Sequence, residues 1–219
     1  MARSSAERGG AALLALVLVA ACSTATGAPA PRTVHPGAPG EPARPAAAAR
    51  GAPAAQPRPT EADVRFMQDM IAHHRQALAM AALVPERSRR EDVRLLARRI
   101  QVSQEGEIGM MRRWLEAHGA PVPAEGAHAH HGAGGHAAMP GMLTEEEMAR
   151  LAAARGAEFD RLLLESMIRH HEGALLMVKE LFSRPGAGQE SEVYQFAAEV
   201  AGDQQIEIDR MRGMLGSPR

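Results

Sequence analysis

From residue 60 onward, apolar side chains recur every three or four positions, the spacing of one buried helix face. At about 100° per residue, Phe66, Met70, His73, Ala77, Met80 and Val84 share one side of a first helix, with His74 at the edge of that stripe. Thr60, followed by Glu61 and Asp63, offers an N-cap with acids in the first turn, and Pro85 reads as the stop. Ser88-Arg89-Arg90-Glu91 has the form of a capping box. The helix it would open carries Leu96, Ile100, Ile108, Met111, Trp114 and Leu115, and ends near His118-Gly119. Thr144-Glu145-Glu146-Glu147 is another capping box, whose helix runs toward Leu181-Phe182 with a break point at Gly156. Val193, Phe196, Val200, Ile208, Met211, Met214 and Leu215 mark a fourth helix over about 190–215.

These four helices are two copies of one unit. Met70-Ile71-x-His73-His74-x-x-Ala77-Leu78-x-Met80 returns as Met167-Ile168-x-His170-His171-x-x-Ala174-Leu175-x-Met177. Ile100-x-x-x-Gln104-x-x-Glu107-Ile108-x-x-Met111 returns as Val200-x-x-x-Gln204-x-x-Glu207-Ile208-x-x-Met211. Short turns make each pair an antiparallel hairpin, the first over residues 60–118 and the second over 144–216, with 119–143 between them. The expected fold is all-α, a four-helix bundle over 60–216 with pseudo-twofold symmetry; a long connection between hairpins suits the ferritin-like order, and up-down-up-down is also allowed.

The same wheel puts Gln104, Glu107, Gln204 and Glu207 on the apolar stripes with the histidines. A buried polar group without a partner costs about 1–3 kcal/mol, against a net domain stability of only about 5–15 kcal/mol. A repeated ring of imidazoles, carboxylates and carboxamides must therefore be hydrogen-bonded within itself or hold an ion. A register device would need only one polar pair, so the repetition favours an ion.

Imidazole suits copper, zinc, iron and nickel, whereas thioether favours copper, above all Cu(I). Candidate metal ligands are Met70, His73, His74, Met80, Glu107 and Met111, with Met167, His170, His171, Met177, Glu207 and Met211 in the second copy. Gln104 and Gln204 stand behind them as supporting groups. Thioethers would hold Cu(I), and imidazole with carboxylate oxygen would hold Cu(II). A di-iron or di-manganese centre calls for more carboxylates than the two in these stripes, including Glu-x-x-His motifs that the chain lacks here. Iron or manganese is the lesser expectation.

Composition alters this picture mainly outside the helices. Among 219 residues, 25 Lys and Arg balance 26 Asp and Glu, so no basic footprint for nucleic acid exists. Arg3 and Arg8 precede an apolar run at 11–21 that is too short to span a bilayer as a mature helix. Residues 1–21 thus read as a signal peptide. Val19-Ala20-Ala21-Cys22 resembles the bacterial lipoprotein cleavage box, which makes Cys22 the lipidated first residue and the lipid the only membrane contact; simple secretion is the alternative. Residues 22–59, rich in Ala, Pro and Gly, read as a disordered tether. In the connection, His128, His130, His131 and His136 could form a weak, exchangeable metal-collecting site or simply a polar linker.

The paired motifs Met-Ile-x-His-His-x-x-Ala-Leu-x-Met and Gln-x-x-Glu-Ile-x-x-Met resemble the bacterial secreted family known as domain of unknown function 305, over about residues 60–216. The resemblance implies a ferritin-like four-helix bundle and, for some members, periplasmic copper binding linked to copper resistance. It puts weight on Met70, His73, His74, Gln104, Glu107 and Met111 and on their second-half counterparts. One departure is Met214, which stands where the first copy has Trp114. The expected protein is a non-enzymatic, extracytoplasmic copper binder that buffers or relays the metal, with metal-transfer proteins as candidate partners. A ferritin-like metal-dependent oxidoreductase and a metal-free envelope scaffold with a hydrogen-bonded core are the alternatives. The oligomeric state, the ion count and the oxidation state are not readable from the sequence.

Overall fold

The computed structural model describes residues 34–35, 44–45, 57–124 and 139–216. Among them lie six helices: α1 (Glu61–Ala82), α2 (Val84–Arg87), α3 (Glu91–Ala117), α4 (Glu145–Ala153), α5 (Gly156–Ser183) and α6 (Ser191–Gly216). α1, α3, α5 and α6 are long; α2 and α4 are one- and two-turn lead-ins. The chain divides into two units, Met1–Pro53 and Ala54–Arg219. In the first unit, β1 (Val34–His35) pairs antiparallel with β2 (Arg44–Pro45), a two-residue ladder within the stretch read as a tether.

Thr60 and Thr144 cap their helices as expected, each through a reciprocal capping box with Asp63 or Glu147. Asp63 does more than cap. Its second oxygen accepts the amide of Gly188 at 2.6 Å, tying the α5–α6 turn to the start of α1. The predicted box at Ser88 does not form. Arg90 is the N-cap of α3 and Glu91 its first residue, while the buried Ser88 hydroxyl accepts the Arg90 amide at 3.2 Å. Glu91 is one residue past the cap, too early in the helix to reach back to it. Pro85 likewise does not end α1. That helix stops at Ala82, and Pro85 occupies the first turn of α2, where its missing N–H leaves no bond unmade. The break predicted at Gly156 falls at Ala154–Arg155 and divides the predicted third helix into α4 and α5; Gly156 itself, at φ +58°, opens α5.

α1 packs on α3, α5 on α6, and α1 on α5. The buried apolar residues form two clusters. One joins the end of α1 (Ala77–Val84), the first half of α3 and the first half of α5; the other joins the start of α1, the second half of α3, the end of α5 and the first half of α6. α1 is therefore antiparallel to both α3 and α5. The six candidate-ligand methionines divide three and three: Met80, Met167 and Met211 in one cluster, Met70, Met111 and Met177 in the other. Each trio is the other's image under exchange of the hairpins. Between the clusters, at the waist of α1 and α5, sit the histidine pairs.

Candidate metal centre

His73, His74, His170 and His171 are all completely buried. Helical geometry explains why both members of each pair go inward. Adjacent residues are only about 100° apart, so a broad buried face takes both, and His74, read as an edge residue, is as enclosed as His73.

Each outer histidine meets the glutamate of its own hairpin. His74 Nε2 lies 2.6 Å from Glu107 Oε2, and His171 Nε2 lies 2.6 Å from Glu207 Oε2. A carboxylate only accepts, so both Nε2 atoms donate, and in the neutral ring Nδ1 is left as a bare lone pair. The two glutamates are not deep in the core; their side chains are 16% and 18% exposed. Burial pushes the Glu107 carboxyl up, but hydrogen bonds from His74 and Ser103, with the nearby His74 and His171, outweigh it and hold the group below its usual range. The Ser103 hydroxyl donates to Glu107 Oε1 at 2.7 Å. In the second hairpin the same position is Asp203, whose carboxyl is pushed up by burial and by the charges of Glu107, Glu207 and Glu199.

The inner histidines differ. The rings of His73 and His170 stack with centroids 3.8 Å apart and planes at 37°. His73 Nε2 is 3.0 Å from the Pro140 carbonyl oxygen. Burial lowers the His73 pKa to about 3, the Pro140 carbonyl opposing and His74 and His171 adding to the effect. His170 is lowered well below its ordinary value, first by burial and then by the neighbouring His73, His171 and His74, the His73 main-chain carbonyl opposing. Both inner rings are therefore neutral at physiological pH.

Nδ1 of all four histidines, Nε2 of His170, both amide atoms of Gln104 and Oε1 of Gln204 are buried without a hydrogen-bond partner in the protein. At about 1–3 kcal/mol apiece, eight such atoms rival the net stability of a domain. Gln104 and Gln204 are buried as predicted, at 1% and 4% exposure. The methionines lie in the flanking apolar clusters, where they serve as packing groups as well as nearby thioethers. Among the described residues, no three or more His, Cys, Asp and Glu side chains converge as a ready-made metal shell. His128, His130, His131, His136 and Cys22 lie outside the described residues.

Sequence reasoning did not find Ser103 or Pro140. Ser103 stands one helical turn before Glu107 on α3, an i,i+4 spacing that the sequence does offer as a signal. Pro140 reaches His73 through its main-chain carbonyl, which leaves no mark on side-chain type. The only hint is the Pro140-Gly141 dipeptide, a turn signal.

The DUF305 profile, a domain of unknown function, matches residues 63–215. The chain belongs to the DUF305 family. Among solved structures, it is similar to a DUF305 fragment from Deinococcus radiodurans, with 34% identity and a TM-score of 0.61, over 73% of this chain and 99% of that one. A secreted-type DUF305 protein from Streptomyces coelicolor aligns with 31% identity and a TM-score of 0.59, over 70% and 91% of the two chains. CopM in its Cu(II)-bound form aligns with 28% identity and a TM-score of 0.54, over 69% and 94%; CopM also has Cu(I)-bound, silver-bound and apo structures among the matches. No curated protein matches the chain. These DUF305 structures agree with the all-helical architecture.

Proposed function

We propose that this DUF305 protein binds copper outside the cytoplasm, buffering or relaying it through the histidine layer at the waist of the bundle. The observation that carries the reading is the set of buried, unpartnered imidazole nitrogens, Nδ1 of His73, His74, His170 and His171 together with Nε2 of His170. A neutral ring in an apolar core with a bare lone pair is an unmet cost in the free protein and a ligand for a soft or borderline ion. Glu107 and Glu207 take the supporting role in this reading, fixing ring orientation and tautomer from behind as carboxylates do for metal-bound histidines. Met70, Met80, Met111, Met167, Met177 and Met211 border the layer and supply thioether sulfur for Cu(I) after small side-chain movements. The similarity to CopM, solved with Cu(I), Cu(II) and silver, supports the choice of metal.

The N-terminal sequence and the secreted-type relative support an extracytoplasmic location, with lipidation at Cys22 as the anchor. No described helix is long and apolar enough to cross a membrane. In this reading His128, His130, His131 and His136 collect metal loosely, and protein donors or acceptors exchange it. One observation favours the scaffold reading: the His74–Glu107 and His171–Glu207 bonds could serve as register pins alone. That reading leaves the inner pair, His73 and His170, without a purpose for its bare nitrogens.

The test is the metal content of protein purified from the cell envelope, read with the absorption edge. Copper at stoichiometric level supports the reading. Iron or manganese would favour the oxidoreductase, and no bound metal, together with no uptake of Cu(I) on titration, would leave the scaffold.

A further inference from the structure

Residues 139–142 form a turn in which the Met142 amide donates to the Met139 carbonyl at 3.2 Å. Pro140 and Gly141 are its central residues, and Gly141 has φ +77°, the signature of a type II turn. In a type I turn the backbone torsion at the first central residue differs by about 150°, and the Pro140 carbonyl would face away from the bundle. Here it faces His73 Nε2 at 3.0 Å.

The chain goes to some length to place that one oxygen. A Cβ on Gly141 would sit 2.4 Å from the Arg169 carbonyl oxygen, and a Cβ on Gly173 would sit 1.9 Å from the Pro140 oxygen itself. Both glycines are needed for the turn to lie flat on α5. On the other side, Gln76 holds the turn against α1 by pairing with both main-chain groups of Leu143, at 2.7 and 2.8 Å. Gln76 and Gly173 are the same position in the two copies of the motif, three residues after the inner histidine. One copy uses it to clasp the turn, and the other vacates it.

We propose that the Met139–Met142 turn is a tautomer lock on His73, keeping the proton on Nε2 so that Nδ1 is presented to the metal, while His170 is left unlocked. Pro140, Gly141, Gly173 and Gln76 are on this account positioning residues, acting through His73. The carbonyl only accepts, so its bond excludes the ring form protonated on Nδ1. His170 makes no well-formed hydrogen bond through either nitrogen, the His73 main-chain carbonyl drawing only weakly on the ring, so its tautomer can adjust as the ion arrives. The duplicated motif thus yields an ordered pair, one ligand preset and one adaptable. This inference rests on the copper reading for its purpose, but the lock is observable without metal.

The experiment is long-range ¹H–¹⁵N spectroscopy of imidazoles in the metal-free full chain, with the His73 signals assigned by their loss in His73→Gln. The expected wild-type result is one His73 tautomer, protonated at Nε2 and slow to exchange. In Gly173→Ala that signal should broaden or give a tautomer mixture while helix content is kept. Cu(I) affinity, read by competition with a chelator, should fall about 10–100-fold, the range for lost ligand-orienting partners. Should Gly173→Ala fail to fold, Gln76→Ala releases Leu143 without adding atoms to the core and should show the same changes to a lesser degree. A His73 ring protonated on Nδ1, or a tautomer unchanged in the folded variants, overturns the proposal. So does loss of the lock with Cu(I) affinity intact. A locked wild-type ring in a protein that takes up no copper supports the lock and overturns the copper reading instead.

Discussion

Hairpin one and hairpin two set the same imidazole against the same carboxylate at the same 2.6 Å, yet their inner histidines live in different surroundings. His73 is held by a carbonyl from the inter-hairpin connection, and His170 by no well-formed hydrogen bond. Glu107 receives a hydroxyl from Ser103, whereas Glu207 has the carboxylate Asp203 at the matching position. The helices are duplicated, so what depends only on helix-to-helix register is duplicated too. The connection exists once and can lie against only one inner histidine. Symmetry of sequence therefore carries over to the outer pairs and is broken at the inner one.

Acid should produce the largest effect on the metal-free protein. The inner rings are neutral in the folded state down to well below the ordinary histidine value, His73 to about 3, whereas in the unfolded chain they protonate near 6.5. Between those values the unfolded state binds more protons, so stability falls as pH drops, by up to about 1.4 kcal/mol per pH unit for each ring. Glu107, held below its usual range, adds a further loss once pH falls through its lowered folded value. Denaturant midpoints measured from pH 7 to pH 4 should drop steeply. In a His73→Leu/His170→Leu variant much of that slope should disappear, and a slope equal to wild type would remove the inner pair as its source.

Removing the glutamates asks how alike the outer pairs are. Glu107→Ala strands His74 Nε2 and the Ser103 hydroxyl, and should destabilise the apo protein by about 1–3 kcal/mol. Glu207→Ala strands only His171 among the partners seen here, and also relieves its repulsion with Asp203, so it should be the milder of the two. Equal losses in urea titrations would contradict the inequality of the two surroundings.

The inner pair should respond in a third way. His170→Leu replaces a ring with two unbonded nitrogens by an apolar side chain, and should leave apo stability unchanged or raise it. His73→Leu strands the Pro140 carbonyl and should cost about 1 kcal/mol. On the copper proposal, both variants should also lose copper uptake. Chelator-stripped protein gives the stability ranking, and copper competition gives the second reading; a His170→Leu variant with full copper occupancy would move the site elsewhere.

Asp203→Ser should have the smallest effect. It removes a largely exposed charge that repels Glu107 and Glu207 and restores the residue type of the first hairpin, so a gain of a few tenths of a kcal/mol is expected. A thermal midpoint that falls instead would show that Asp203 has a favourable partner.

Much of this molecule could be read before any coordinates. Periodicity placed the long helices, and the repeat showed that His73 corresponds to His170 and Glu107 to Glu207. The wheel put the histidines inside because apolar spacing at three and four residues marks one face whatever packs on it. The Ser88 box does not form because α3 starts two residues later than that pattern implies, and local letters cannot say which residue first adopts helical dihedrals. The break after Ala153 was foreseen only as a glycine, two residues late.

What the sequence alone determined is the inventory and its faces: which donors lie inside, how many times, and in which equivalent positions. Which donor meets which was decided in three dimensions. The stacking of His73 on His170 and the Pro140 carbonyl on His73 both join residues whose meeting depends on side-chain torsions, helix crossing and the path of a single connection. A helix repeats its faces by local geometry, but only close packing between elements chooses the atom at the end of each hydrogen bond.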